Sequence, residues 1–328
     1  MRRMLWRGLG LLLMLASLSL PLLRAPDLPV ESLVARWALP PSDFIEVNGQ
    51  GVHWRDEGPR HDPHPIVFLH GVAASLHVWD AWAEDLSPRH RVIRFDLPGS
   101  GLTGPFSEAY LQGDDVDYSA DKLARFTLRL LNTLKVEQAT IVGHDLGGEV
   151  AWRLALMAPS KVQRLVLLGA TGWPDPPTRK IPGLEMARWP VVGALGEGLM
   201  PRALVQQSLA ATYAQAERIT PAQVARYHDL LLREGNRQAL RQHLAQAPDH
   251  DSVKRLKVMS RPTLLIWGQQ DQQLPAAVGE RFAQLMPQAR LLLLPHVGHQ
   301  VPEEQPGLAI EALRTFMRQS LVPSSQHQ

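Results

Sequence analysis

The sequence of 328 residues contains no cysteine and only four tyrosines. The absence of cysteine excludes disulfide bonds, a cysteine nucleophile and cysteine-ligated metal sites. The body of the chain also lacks an excess of either charge. The first 24 residues hold four arginines and no acid, and without them 30 basic residues face 32 acidic ones. A nearly neutral body gives no electrostatic basis for binding nucleic acid, so we expect no nucleic-acid partner.

The N-terminal segment has the pattern of an export signal. Arg2, Arg3 and Arg7 precede residues 8–23, which are apolar apart from two serines. This run is near the short limit for a membrane-spanning helix, and its positive flank predicts that the N-terminus stays inside. We therefore predict an exported protein, anchored by this segment in the bacterial inner membrane with its main domain outside the cytoplasm. A cleaved signal peptide is the alternative interpretation.

Strand and helix patterns alternate along most of the chain, with an interruption after residue 170. Such alternation predicts an α/β fold, a mostly parallel doubly wound sheet with helices on both faces. The interruption has proline-rich turns and helical periodicity, which favours an inserted helical lid over the site. The predicted division is a signal anchor or signal peptide (1–24), a linker (25–42), the first part of the core (43–170), the lid (171–257), the second part of the core (258–320) and a disordered tail (321–328).

One short segment is typical of a nucleophile elbow, a sharp strand-to-helix turn that exposes a single side chain. Gly143 and Gly147 each stand two positions from Asp145, between an apolar strand pattern and a helical pattern. Glycine is required on both sides because the tight turn leaves no room for a Cβ. The exposed residue is an aspartate where most such turns carry serine. We predict that Asp145 is the nucleophile.

Two further residues complete a predicted triad. Asp271 follows one apolar strand pattern, and His299 follows the next. The order nucleophile, acid, histidine is the one that this kind of elbow uses, and the carboxyl ends of parallel strands meet at one edge of a sheet. We therefore predict that Asp271 orients His299 as the base. His296, in the same loop, is the rival base.

Backbone N–H groups are expected to form an oxyanion hole. One belongs to Leu146, directly after the nucleophile, and the other to Val72, in the loop after an early strand. His70 and His144, next to these positions, are possible substrate-binding residues, although the His70 side chain favours a structural role. We expect neither a metal nor a cofactor.

These motifs resemble the α/β-hydrolase superfamily from about residue 44 to 319. The matching segments are Phe68-Leu69-His70-Gly71, Phe95-Asp96-Leu97-Pro98-Gly99-Ser100-Gly101, the elbow, Gly268-Gln269-Gln270-Asp271 and Gly298-His299. The aspartate of the elbow resembles the branch that contains epoxide hydrolases and haloalkane dehalogenases. The surroundings of Val72 and Leu146 look more like serine-dependent esterases and carbon–carbon bond hydrolases.

Departures from each group narrow the function that the resemblance implies. Haloalkane dehalogenases usually hold halide with a tryptophan after the nucleophile, where this chain has Leu146. Epoxide hydrolases usually carry a proline where this chain has Ala73, and two lid tyrosines, for which Tyr213 and Tyr227 are candidates. A helix-face core position is the competing interpretation of both tyrosines.

An aspartate nucleophile suits attack on an sp³ carbon that bears a leaving group or belongs to a strained ring. The product is an alkyl ester on Asp145, which water activated by His299 then hydrolyses. We predict a hydrolase of this kind, epoxide-hydrolase-like, on a small apolar substrate. The alternatives are an esterase-like or carbon–carbon bond hydrolase relative with aspartate in place of serine, a haloalkane dehalogenase, and a non-catalytic member that binds a ligand.

Overall fold

A computed structural model describes residues 25–174, 178–189, 200–246 and 251–318, together with Met14, Gly198 and Asp249. Eight strands lie within these ranges. In chain order they are β1 (Asp43–Val47), β2 (Gln50–Glu57), β3 (Ile66–Leu69), β4 (Val92–Phe95), β5 (Ala139–His144), β6 (Val162–Leu168), β7 (Thr263–Gly268) and β8 (Ala289–Leu294).

The strands form one sheet in the spatial order β1-β2-β4-β3-β5-β6-β7-β8. The β1–β2 and β2–β4 pairs are antiparallel, and every other pair is parallel. All residues of β3 and β5 are buried, as a parallel sheet with both faces covered requires. The predicted α/β fold with a mostly parallel sheet is confirmed.

Helices cover both faces of this sheet. In chain order they are α1 (Val30–Trp37), α2 (Asp80–Leu86), α3 (Glu108–Leu111), α4 (Ala120–Thr133), α5 (Leu146–Met157), α6 (Pro182–Arg188), α7 (Arg202–Ala210), α8 (Pro221–Leu231), α9 (Asn236–Ala245), α10 (Ala276–Leu285), α11 (Val301–Glu304) and α12 (Pro306–Arg318).

Two apolar cores result because successive side chains of a strand point to opposite faces. In β3, Ile66 and Phe68 pack into one core with Trp82 of α2. Val67 and Leu69, from the same strand, pack into the other core with residues of α4 and α5. The sheet is thereby fixed between two helical layers, and the ends of its strands are rigid supports for a site.

Helices α6 to α9 lie between β6 and β7 in the chain, within the stretch that the sequence assigns to a lid. Helix α8 begins with a capping box in which the Thr220 and Gln223 side chains each accept from the other's backbone N–H. Val205 and Leu209 of α7 and Val224 of α8 belong to a separate small apolar cluster. The insertion therefore has packing of its own, and its function as a lid stays a prediction.

The predicted anchoring in the inner membrane needs correction. Within the ranges given above, no helix is long and apolar enough to cross a membrane. This finding contradicts the localisation that we derived from the arginine-flanked apolar run. The run itself, within residues 1–24, lies outside the described residues except for Met14.

Candidate active site

The predicted elbow is formed where β5 ends at His144 and α5 begins at Leu146. Asp145 has φ 53° and ψ −120°, a conformation that residues other than glycine rarely adopt. Its N–H donates to the Leu168 carbonyl oxygen at 3.1 Å. A Cβ on Gly143 would lie 2.2 Å from the carbonyl oxygen of Gly147. The strained turn therefore requires glycine at this position and is held in place by the neighbouring strand.

The Asp145 carboxylate is buried, and each of its oxygens faces a different group. Oδ2 accepts a hydrogen bond of 2.9 Å from the Val72 N–H. Oδ1 lies 3.6 Å from Nε2 of His299, beyond hydrogen-bond distance. Leu146 is the first residue of α5, where a backbone N–H has no partner within its helix. The Val72 N–H thus contacts the carboxylate of Asp145, and the Leu146 N–H belongs to the first residue of α5, directly after Asp145 in the chain.

The predicted base and its orienting acid are in contact. Nδ1 of His299 lies 2.8 Å from Oδ2 of Asp271. The other oxygen of Asp271 accepts from the backbone N–H groups of Gln273 and Leu274, both at 2.8 Å. Because an ionised carboxylate only accepts, Nδ1 of His299 carries the proton and Nε2 faces Asp145. The rival base His296 is exposed and is not among the described residues that line the cavity beside Asp145.

Charges at the site are strongly coupled. Burial alone would raise the pKa of Asp145, but His299 and the Val72 N–H lower it to about 2. Burial alone would lower the pKa of His299, but the Asp271 and Asp145 carboxylates raise it to about 10. In the free protein at neutral pH, an imidazolium therefore lies between two carboxylates.

The two candidate substrate-binding histidines differ in their surroundings. His70 accepts from the Leu97 N–H at Nε2 and contacts the Gly71 carbonyl oxygen through Nδ1, so both ring nitrogens are used within the protein. His144 lines the cavity, and its Nε2 lies 3.0 Å from the carbonyl oxygen of His299. Burial, followed by the charge of His299, lowers the pKa of His144 to about 4, so this ring is neutral. It donates to the backbone of the base.

The two candidate tyrosines also differ. Tyr227 lines the cavity, whereas Tyr213 is not among the described lining residues. The Tyr227 hydroxyl donates to Oε2 of Glu303 at 2.7 Å and accepts from Gln300 at 2.6 Å. The Tyr213 hydroxyl accepts from Gln223 at 3.3 Å. Burial, and after it Glu303, raises the pKa of both tyrosines. The Tyr227 proton is thus directed to Glu303.

The cavity beside Asp145 has a mostly apolar lining. The apolar side chains that line it from the inserted helices and the segments joining them are Ile181, Leu184, Met200, Leu204, Val205 and Leu209. Gln273 and Gln300 add polar groups that the sequence analysis missed, although each lies within two residues of a predicted triad member. Over the described ranges, no group of three or more histidine, aspartate or glutamate side chains is arranged to hold a metal.

The loop that carries His299 is held by the insertion. The Thr212 carbonyl oxygen accepts from the N–H of His299 at 2.8 Å. Glu304 is buried, and its carboxylate accepts from the N–H of Gly298 at 2.7 Å and from that of Gln215 at 2.8 Å. No short sequence motif indicated these contacts, because Thr212 and Gln215 are more than 80 residues from the loop in the chain.

The sequence of the chain is similar to those of known proteins. The family model described as alpha/beta hydrolase fold matches residues 64–306. A pimeloyl-[acyl-carrier protein] methyl ester esterase from Nitrosomonas europaea is 32% identical over 247 residues, 71% of this chain and 88% of the relative. A cis-3-alkyl-4-alkyloxetan-2-one decarboxylase from Xanthomonas campestris pv. campestris is 26% identical over 287 residues, 83% of this chain and 94% of the relative.

Among solved structures, a hydrolase from Pseudomonas aeruginosa is similar in both fold and sequence. It superimposes with a TM-score of 0.68 at 28% identity, covering 85% of this chain and 99% of that one.

Proposed function

Because the chain belongs to the alpha/beta hydrolase fold family and is a hydrolase of that fold, we propose that it acts through a covalent alkyl ester on Asp145. One observation carries the proposal. The Asp145 carboxylate has Oδ2 on the Val72 N–H and Oδ1 toward Nε2 of His299. One oxygen is thus held at the oxyanion donor while the other is available for attack.

The identity of the nucleophile selects the substrate chemistry. Attack by a carboxylate on an ester would give an anhydride and expel a poorer leaving group, so the attack would reverse. Attack on an sp³ carbon gives a stable alkyl ester instead. We therefore propose a substrate with an sp³ carbon in a strained ring, and the apolar lining favours a small apolar molecule.

The first step releases a proton from the base. When Asp145 becomes an ester, its negative charge disappears, and one of the two carboxylates that raise the pKa of His299 is lost. The imidazolium then gives up its proton more readily. For an epoxide, the alkoxide formed by ring opening takes up one proton, so the two changes balance. His299 enters the second step as a neutral base.

The second step is hydrolysis of the ester. Neutral His299 takes a proton from water, which attacks the Asp145 carboxyl carbon. The tetrahedral oxyanion forms on the oxygen next to the Val72 N–H, and the N–H of Leu146 is the second proposed donor. The bond between the carboxyl carbon and the alkyl oxygen then breaks. The leaving alkoxide takes the proton of the new carboxyl hydroxyl, and Asp145 is again a carboxylate beside the imidazolium of His299.

A strained cyclic ester is a second candidate substrate beside an epoxide. The oxetan-2-one of the decarboxylase relative has a four-membered lactone ring. Attack on its sp³ ring carbon breaks the bond from that carbon to the ring oxygen and expels a carboxylate, which needs no proton donor, so the proton from His299 passes to solvent. An epoxide needs one, and because the Tyr227 proton is directed to Glu303, it would come from His299. This contact favours the lactone candidate among strained rings.

A single turnover in ¹⁸O-water tests the covalent mechanism. The enzyme is mixed in excess with each member of a panel of small epoxides, strained lactones, haloalkanes and short esters. After one turnover the protein is digested and its peptides are analysed by mass spectrometry. We expect ¹⁸O in the peptide that carries Asp145 and none in the first product, because water attacks the carboxyl carbon. Label found directly in the product excludes the alkyl ester. Turnover of haloalkanes alone favours the dehalogenase alternative, and binding without turnover favours the non-catalytic one.

The variant Tyr227→Phe separates the two strained-ring candidates. Because lactone opening requires no proton from the hydroxyl, we expect its rate in Tyr227→Phe to stay within about threefold of the wild-type rate at the same active-site concentration. An epoxide rate that falls by about 10²-fold assigns Tyr227 as the acid for that substrate. Tyr213→Phe is the matched control, since Tyr213 does not line the cavity in the described part of the chain.

A further inference from the structure

A second group of hydrogen-bonded serine, histidine and aspartate side chains lies apart from Asp145. Oγ of Ser42 is 2.9 Å from Nε2 of His53, and Nδ1 of His53 is 2.8 Å from Oδ2 of Asp96. These are the contacts that activate a serine nucleophile in acyl transfer: an imidazole receives the hydroxyl proton, and a carboxylate orients the imidazole. None of these three residues lines the cavity beside Asp145.

The carboxylate of this group is rigidly held. Asp96 is fully buried and also accepts from the backbone N–H groups of Leu76 and Leu102, both at 2.7 Å. Burial alone would raise the pKa of Asp96, but His53 and other histidines nearby lower it well below its ordinary value. An ionised Asp96 only accepts, so Nδ1 of His53 carries its proton. Nε2 of His53, which lies 2.9 Å from Oγ of Ser42, is therefore the ring nitrogen placed to accept the serine proton.

The nucleophile end of this group carries an additional positive charge. Nε of Arg55 donates to Oγ of Ser42 at 2.8 Å. A guanidinium at this distance stabilises negative charge that develops on Oγ as its proton leaves. His53 is fully buried, whereas Ser42 is half-buried and therefore partly open to solvent. A small reagent would approach the hydroxyl from this side, outside the cavity beside Asp145.

We propose that Ser42 is a second nucleophile, a site of acylation by small activated esters, with His53 as its base and Asp96 as the positioning residue. Oγ of Ser42 attacks the ester carbonyl carbon while its proton passes to Nε2 of His53. The bond between the carbonyl carbon and the leaving oxygen then breaks, and the alcohol or phenolate departs with the electron pair. The acyl group stays on Ser42, and His53 returns the proton to the leaving oxygen or to water.

The proposal can be tested directly because the elbow carries Asp145 and contains no serine that could be acylated instead of Ser42. Folded Asp145→Ala protein is incubated with p-nitrophenyl acetate, and phenolate release and acetylated peptides are measured together. We expect a burst approaching one phenolate per chain and an acetyl group on Ser42. The additional change Ser42→Ala abolishes both. This outcome does not depend on whether Asp145 forms an alkyl ester.

Ser119 is the matched control within the same chain. It is half-buried and its hydroxyl donates to Asp117 at 2.9 Å, so it has a carboxylate partner without the imidazole. We expect Ser42 to be acetylated at least about 10²-fold faster than Ser119. The variant His53→Gln should remove this preference, and urea-denatured protein should lose it if that variant does not fold. Equal rates at the two serines in folded protein overturn the proposal.

Discussion

His299 lies between two carboxylates, and its protonation is therefore coupled to folding. The contacts with Asp271 and Asp145 raise its pKa to about 10, against an ordinary value near 6.5. A group whose pKa is raised on folding stabilises the protein below its unfolded pKa, and this stability is lost as pH rises through the folded value. The window for His299 thus runs from about pH 6.5 to about pH 10.

We predict that His299→Gln flattens the pH dependence of stability in this window. Between pH 7 and pH 10 the native wild type binds more protons at this site than the unfolded chain, so its unfolding free energy falls with pH. One proton contributes a slope of at most about 1.4 kcal/mol per pH unit. Urea unfolding of both proteins at three pH values measures the difference. Parallel curves would show that His299 is not held as an imidazolium.

The identity of the residue at the elbow decides between alkyl and acyl chemistry, and this can be tested directly. Serine is smaller than aspartate, and the turn already accommodates a side chain at φ 53°. We predict that Asp145→Ser gains turnover of short acyl esters, because His299 and the Val72 N–H can serve a hydroxyl nucleophile. Turnover through the alkyl ester should vanish.

Steady-state ester hydrolysis by Asp145→Ser, compared with Asp145→Ala, measures this gain. Both variants carry Ser42→Ala, so that acylation at the second serine does not contribute. If the serine variant is no better than the alanine variant, the base or the oxyanion donor is misplaced for acyl transfer. The similarity to serine esterases would then be limited to the fold.

At the scale of secondary structure, the β5–α5 turn depends on close backbone contact. A Cβ at Gly143 meets a backbone carbonyl oxygen at 2.2 Å, and the atoms around it cannot move without shifting α5. We predict that Gly143→Ala lowers the unfolding free energy by about 3 kcal/mol, the upper part of the usual range for overpacking. Gly51→Ala in β2 is the control, because nothing lies within 4 Å of its added Cβ. Similar losses in both variants would argue against a tight turn.

At the scale of the whole molecule, residues of both the insertion and the core hold the loop that carries His299. Glu304 joins the N–H of Gly298, beside His299, to that of Gln215 in the insertion. Arg226 and Tyr227 of α8 both contact Glu303 of α11. Movement of this part of the insertion would therefore disturb the loop that carries His299.

We predict that Glu304→Gln weakens stability and activity together. Glutamine has one acceptor oxygen, so the N–H of Gly298 or that of Gln215 loses its partner, at a cost of about 1–3 kcal/mol for the buried Gly298 group and less for the part-buried Gln215 group. Urea unfolding and the single-turnover rate measure the two effects. Glu311→Gln on the outer face of α12, where the side chain is 60% exposed, should stay within about 0.5 kcal/mol of wild type. A Glu304→Gln protein of unchanged stability and rate would mean that the insertion does not support the base.

The sequence alone determined the fold class and the order of its elements, because both show in local patterns of apolar and turn-forming residues along the chain. The alternation of strand and helix patterns predicted the mostly parallel sheet, and glycine at 143 and 147 predicted the turn at Asp145. Asp271 and His299 could be paired with Asp145 because the carboxyl ends of parallel strands meet at one edge. The roles of these three residues stay predictions until the single-turnover experiment is done.

Only the tertiary structure decided which partner each polar side chain has. Tyr227 reads from the sequence as a proton donor to substrate or as a core residue, and folding places Glu303 against its hydroxyl. The contact of His53 with Asp96 joins residues 43 positions apart. A hydrogen bond depends on distances of a few tenths of an ångström between atoms that distant parts of the chain deliver, and local sequence patterns do not encode those distances.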